Sequence, residues 1–259
     1  MKSENRELIR EAFSAQAEGF ESRNLNFSKQ AYLDAIVSRL ELTGKENVLE
    51  VAAGTCACGR AIAPHAAHVT CLDMTTAMLE VGRREADKQG LYNMSFVLGD
   101  AAELPFLNDS FDVVISRLAF HHFPQIQPPF EQMKRVLKPG GKLVLIDMEA
   151  APEELRETED EIERMRDPSH VRNLSREEML TLYRENGLTV TLCDEIPTRQ
   201  VLKNWMALTH TPEAVQRQIT ARMENELAGS EKTGFFPKMR GGEIGFDHIW
   251  LMIVGEKKA

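Results

Sequence analysis

The sequence predicts a doubly wound α/β fold, a mostly parallel sheet with helices on both faces. Three observations carry that expectation. Five short apolar runs recur between positions 48 and 147, each closing near a polar or small residue, with helix-forming sequence between them. The first run, 48–51, carries Glu50 near its end and passes at once into Ala52-Ala53-Gly54-Thr55-Cys56, before helix-forming sequence from Arg60. The second run, 69–73, ends on Asp73, 23 positions after Glu50. Right-handed crossovers place the ends of all such strands on one edge of the sheet, where ligands bind.

The elements follow in order. Positions 1–45 read as helices, because Leu8, Ile9, Ala12, Phe13, Tyr32, Ala35, Ile36 and Leu40 recur at helical spacing. A third strand runs from Phe96 into Gly99-Asp100-Ala101-Ala102-Glu103-Leu104-Pro105-Phe106. A fourth, 111–116, enters Arg117-Leu118-Ala119-Phe120-His121-His122-Phe123. A fifth, 142–147, follows Leu137-Lys138-Pro139-Gly140-Gly141 and ends on Asp147. Positions 152–166 are charge-rich with a thin apolar stripe of Leu155, Ile162 and Met165, which predicts a solvated helix face. Ser175-Arg176-Glu177-Glu178 has the form of a capping box, and Gly187 is placed to stop that helix. Positions 188–193 and 244–254 read as strands six and seven, with Gly241-Gly242 as a turn before the last. Helical sequence surrounds Trp205 and Val215. The expected organisation is a helical cap (1–45), a ligand-binding core (46–150), and lid or substrate segments with the last two strands (151–259).

Composition narrows the function. The 259 residues carry 31 Lys and Arg against 40 Asp and Glu, a net charge of −9. An acidic chain without a basic block is a poor partner for a nucleic-acid backbone. No apolar run is long enough to span a membrane, and the N-terminal positions lack an apolar signal core. Four cysteines, Cys56, Cys58, Cys71 and Cys193, fit a reducing cytoplasm, where buried thiols act as small apolar side chains, the role expected of Cys71 and Cys193. Cys56-Ala57-Cys58 lacks further ligands at metal spacing, so no metal is expected.

Small residues at a strand-to-helix turn allow a ligand to approach the backbone, and an acid about 20 residues on is placed to accept from ribose hydroxyls. A nicotinamide dinucleotide fingerprint would need three glycines, where this chain has Ala52, Gly54 and Ala57.

The Glu50, Ala52, Gly54, Cys56 spacing, the 99–106 segment and the Leu137–Gly141 run together resemble the class I S-adenosylmethionine (SAM)-dependent methyltransferases. Within that class the chain resembles small-molecule enzymes of the ubiquinone/menaquinone-biosynthesis C-methyltransferase type. Positions 166–172 are also similar to a segment of uncharacterised bacterial members. The resemblance implies a Rossmann-like sheet of seven strands with an antiparallel last strand. The implied cofactor is S-adenosyl-L-methionine, with S-adenosyl-L-homocysteine (SAH) as product. It implies Glu50 near the methionine amino group, and Ala52, Gly54 and Thr55 along the methionine part. Asp73 would take the ribose diol and Met74 the adenine face. Asp100 would accept from the adenine amino group, the Ala101 N–H would face a ring nitrogen, and Arg117 would lie beside the methionine. Cys56 stands where the pattern has glycine, so its sulfur is expected to crowd the cofactor. That departure keeps open a second reading, a SAM- or SAH-binding protein without turnover.

Methyl transfer from a sulfonium needs alignment above all, and a base only where the acceptor loses a proton. His122, and after it His121, are the candidate bases, with a rate expected to fall below an apparent pKa near 6 to 7. Only one of two adjacent histidines is expected to face the cofactor edge. Asp147 is placed to orient substrate, with His170 a weaker candidate. Phe20, Phe27, Phe120, Phe123 and Trp205 are candidates for an apolar acceptor pocket. Residues 1–30 and 152–175 are expected to close over the bound cofactor. The expected partner is a small-molecule methyl acceptor; a homodimer stays open.

Overall fold

The computed structural model describes residues 3–21 and 30–258. The strands are β1 (Asn47–Val51), β2 (His68–Asp73), β3 (Met94–Leu98), β4 (Phe111–Arg117), β5 (Leu137–Met148), β6 (Leu188–Val201), β7 (Lys238–Arg240) and β8 (Glu243–Lys257). They form one sheet in the order β3-β2-β1-β4-β5-β8-β6, with β7 paired on β8. β1 to β5 run parallel, whereas β8 lies antiparallel between β5 and β6. The helices are α1 (Ser3–Gln16), α2 (Gln30–Leu40), α3 (Ala57–Ile62), α4 (Thr76–Gln89), α5 (Gln127–Val136), α6 (Glu153–Arg166), α7 (Arg176–Glu185), α8 (Leu202–Leu208) and α9 (Glu213–Leu227).

The sheet has eight strands rather than the expected seven. The Gly241-Gly242 turn, with φ of 61° and 83°, joins β7 to β8 as a hairpin. A two-residue turn of this kind needs positive φ, which glycine adopts freely. Three residues of β7 are too few for strand alternation to show in the sequence.

The parallel strands are apolar runs because helices cover both faces. Val48, Leu49, Val114, Ile115, Val144 and Leu145 are fully buried. One face packs Ile36, Leu40 and Ile62 from α2 and α3, and the other packs Phe130, Met133 and Tyr183 from α5 and α7. Strand order reverses between β1 and β4, which opens a crevice beyond their carboxyl ends.

Two further clusters wall that crevice. Ala17 and Phe13 pack on Met78 and Val81, fixing α1 to α4. Ile162, Leu202, Trp205, Met206, Phe235 and Phe246 tie α6 and α8 to the start of β8. The capping box of α7 forms as expected: Glu178 N donates to Ser175 Oγ (3.2 Å) and Ser175 N to Glu178 Oε2 (2.8 Å). Gly187 follows with φ of 67°.

Two expectations are corrected. On α6, Glu159, Asp160, Glu163 and Arg166 are buried, so much of the charged surface points into a polar wall rather than to water. Cys193 is exposed, on β6, while Cys56, Cys58 and Cys71 are buried free thiols. No helix among the described residues is long and apolar enough to cross a membrane.

Candidate active site

A cavity of about 430 Å³ occupies the crevice. At one end lie Ala52, Gly54, Thr55, Asp73, Met74, Asp100, Ala101 and Arg117; at the other lie His121 and His122.

The turn after β1 has its alternate residues in the left-handed region: Ala52 at φ 54°, Gly54 at 54° and Cys56 at 60°. That backbone explains why small residues alternate there, and the two with a Cβ bear roughly 1–2 kcal/mol of strain each. The turn is held by Ala53 N donating to Leu72 O (3.0 Å) and Gly54 N to Asp73 Oδ2 (2.8 Å). The Arg60 guanidinium also donates to Thr55 O.

Cys56 does not crowd the cavity, contrary to the expectation. Its left-handed backbone turns the side chain into the core, where Sγ faces Gly82 of α4 and donates weakly to Gly54 O (3.6 Å). A Cβ at Gly82 would fall 2.8 Å from that sulfur and 2.9 Å from Thr55 O. Cys56→Gly is therefore expected to leave affinity for SAH unchanged in calorimetry. Tighter binding would put the sulfur back beside the ligand.

Glu50 is not part of the cavity wall. Its Oε2 accepts from Gly59 N (2.8 Å) and from Cys71 Sγ (3.5 Å) beneath the turn. Burial pushes its pKa up to about 7, against the opposing charge of Arg117. This packing accounts for Gly59, whose Cβ would meet Cys71 Sγ at 2.6 Å and Glu50 Oε2 at 2.7 Å. Gly59→Ala is expected to lower stability by about 1–3 kcal/mol, read as a drop in denaturation midpoint. An unchanged midpoint would show that Glu50 is free to move away.

Asp73 is buried and shared between two loops. Oδ2 accepts from Gly54 N, and Oδ1 accepts from Thr75 N (2.8 Å). Burial raises its pKa, while those N–H groups work the other way. Asp100 Oδ1 accepts from Ala102 N (2.8 Å), which turns the segment after β3 along the cavity. The Arg117 guanidinium lies over the Trp250 ring, 5.9 Å from its centroid.

At the other end both histidines of the turn after β4 line the cavity, with ring centroids 4.1 Å apart. The expectation that only one would face this edge is wrong, because a tight helical turn (Phe120–His122) displays both. His121 Nδ1 donates to Asp147 Oδ1 (2.6 Å), and Asp147 Oδ2 accepts from Phe120 N (2.7 Å). A carboxylate only accepts, so the Nδ1 proton is fixed, and in the neutral ring Nε2 carries the lone pair. Burial opposes a charge on His121, but Asp147 outweighs it and its pKa is raised.

His122 differs. Its Nδ1 donates to Ser169 O (3.1 Å), and Ser169 Oγ donates to Asp167 Oδ1 (2.6 Å). Burial and the neighbouring His121 push its pKa down to about 3, not the 6 to 7 expected. The Phe13 ring stands edge-on to it at 5.0 Å. His170 lies behind, its Nε2 2.9 Å from Asp160 Oδ1.

Of the expected aromatics, Phe123 and Trp205 line the cavity, whereas Phe120 is packed in the core. The Phe20 side chain and Phe27 lie outside what is described. Asp167, Ser169 and His170 are buried, and Val171 N donates to His121 O (2.9 Å), so 167–172 packs against the His121 turn, with Asp167 in the cavity wall. Sequence reasoning missed Phe13, Asn204, His248 and Trp250 as cavity residues. His248 and Trp250 continue the alternating face of a strand, and nothing in that pattern distinguishes a cavity wall from a core.

The family described as a methyltransferase domain matches residues 42–209. The chain is 30% identical over 249 residues to YcgJ of Bacillus subtilis (strain 168), described as an uncharacterized methyltransferase, covering 95% of this chain and 98% of that protein. The crystal structure of YcgJ superposes with a TM-score of 0.79 at 27% identity, covering 89% of this chain and all of that one. Demethylmenaquinone methyltransferase of Clavibacter sepedonicus is 31% identical over 177 residues, 68% of this chain and 69% of that protein. With its sheet order, its left-handed turn and its strand-end acids, the chain belongs to the methyltransferase-domain family and is a methyltransferase on the SAM-dependent fold.

Proposed function

We propose that the chain binds S-adenosyl-L-methionine at the turn end of the cavity and methylates a small organic acceptor at the imidazole end. The observation that carries this reading is the continuity of the cavity: one space joins Gly54, Asp73 and Asp100 to His121 and His122. The backbone of Ala52 to Thr55 takes the methionine part with Arg117 beside it, Asp73 the ribose diol, and Met74, Asp100 and Ala101 the adenine. Glu50 acts from beneath, bracing the turn through Gly59. The bound sulfonium supplies an activated methyl group, so the protein's share is alignment and exclusion of water. Where the acceptor must lose a proton, His121 takes it at Nε2, with Asp147 holding the ring. His122, whose lowered pKa makes it a weak base, packs and orients. The reading of a binding protein without turnover rested on Cys56, whose sulfur faces the core.

The chemistry fits a cytoplasmic enzyme with free thiols. Calorimetry with SAH, and with NAD as control, tests the reading. One SAH per chain and no heat from NAD are expected; binding of NAD alone, or of neither, would overturn it.

A further inference from the structure

His248 lies on β8, paired with Thr198 of β6, and forms part of the cavity wall. Its ring is fixed by aromatic neighbours: Phe246 at 4.9 Å, Phe235 at 5.8 Å and Trp205 at 6.3 Å. Its Nε2 lies 3.6 Å from Glu163 Oε1. Both atoms are sealed from solvent, and neither has a hydrogen-bond partner among the described residues. The other carboxylate oxygen, Glu163 Oε2, is engaged by Arg166 through Nε (3.1 Å) and Nη2 (3.0 Å), and the Arg166 guanidinium lies over Trp205 at 4.5 Å.

A buried carboxylate with one oxygen left over, aimed at an imidazole in a cavity wall, repeats the construction of Asp147 and His121. Behind His121 the acid takes one N–H, and behind His248 it stands 3.6 Å from Nε2, just outside hydrogen-bond length; in each ring the nitrogen remote from the acid is left for the cavity. For His121 that nitrogen is Nε2; for His248 it is Nδ1. The groups whose charge bears on His248 are Glu163 and Arg166 from α6, His121 from the turn after β4 and His170 from the following segment. Burial holds its pKa at about 4, so the ring is neutral near pH 7.

We propose that His248, positioned by Glu163, is a second carboxylate-backed imidazole of the acceptor site, which selects acceptors that donate hydrogen bonds from two separate polar groups. One donor meets His121 and the other His248, while Trp205, Trp250 and Phe13 enclose the apolar body between them. The 3.6 Å gap to Glu163 closes to hydrogen-bond length when such an acceptor fixes the ring. The proposal rests on the reading of this cavity as a methyl-transfer site.

The test uses the full chain saturated with SAH and titrated by ligand-observed NMR with three benzenediols, phenol and anisole. At least one benzenediol is expected to bind about tenfold tighter than phenol, the worth of one well-made hydrogen bond. His248→Phe should bring that ratio to about one and leave SAH binding in place, while His248→Gln, which keeps an acceptor oxygen, should retain part of the preference. A wild type without preference for diols would overturn the proposal. So would a ratio unchanged by His248→Phe, or an equal loss of every probe in that variant, which marks a packing role. Failure of SAH itself to bind would speak against the cofactor reading, not against the pairing of His248 with Glu163.

Discussion

Replacing His121 by glutamine is expected to lower the rate of methyl transfer by roughly 10²- to 10⁴-fold while SAM affinity stays nearly unchanged. Asp147 fixes the Nδ1 proton, which leaves the Nε2 lone pair of the neutral ring for the proposed proton transfer. Glutamine keeps comparable bulk and polarity but no basic nitrogen. The direction of the pH profile follows from the raised pKa of His121. A base works in its neutral form, so the rate should fall as pH drops through that raised value, above the ordinary histidine value of about 6.5. Asp147→Asn should move the acid limb to lower pH, because the charge that raises the pKa is gone. His122→Gln is the comparison: with its pKa near 3, His122 does not titrate in this range, and its loss should be felt in packing against Phe13. Rates measured from pH 5 to 9 decide the matter. Equal, small effects of both histidine substitutions would end the base assignment and leave alignment as the mechanism.

Asp73→Ala should weaken SAH by on the order of 2 kcal/mol, about thirtyfold. Asp73 also accepts from Gly54 N and Thr75 N, so the substitution loosens the turn as well. Weaker binding alone would not separate ribose recognition from bracing. Adenosine and 2′,3′-dideoxyadenosine do separate them. The wild type should prefer adenosine, and the variant should bind the two alike. A preference that survives in Asp73→Ala would assign the ribose to another residue and leave Asp73 as a brace.

The fold was legible because its core strands are buried on both faces and read as unbroken apolar runs. The stretch from Leu143 to Ile146 is such a run, and Val48 to Val51 is apolar but for Glu50. Side-chain direction was less legible. Cys56 stood out as a replacement for glycine, but its φ of 60° turns the sulfur away from the ligand side, and no sequence pattern reports that dihedral. Glu50 likewise lies near the end of its strand as expected, yet accepts from Gly59 beneath the turn. The acids of α6 misled for a different reason. A helix face of Glu159, Asp160 and Glu163 has the same periodicity whether it meets water or a polar wall. What decides is the partner, and the partners His170 and His248 lie on other elements. His122 was found as a position, but its weak basicity comes from burial and from His121, which residue type does not disclose.

The central claim is that one cavity holds cofactor and acceptor end to end. A crystal structure of the full chain with SAH tests it most directly. The account predicts the homocysteine along Ala52 to Thr55, the ribose hydroxyls on Asp73, the adenine between Met74 and Ala101, and the sulfur facing His121 across an open acceptor space. SAH bound elsewhere, or lying in this cavity with its sulfur turned away from His121, would contradict it.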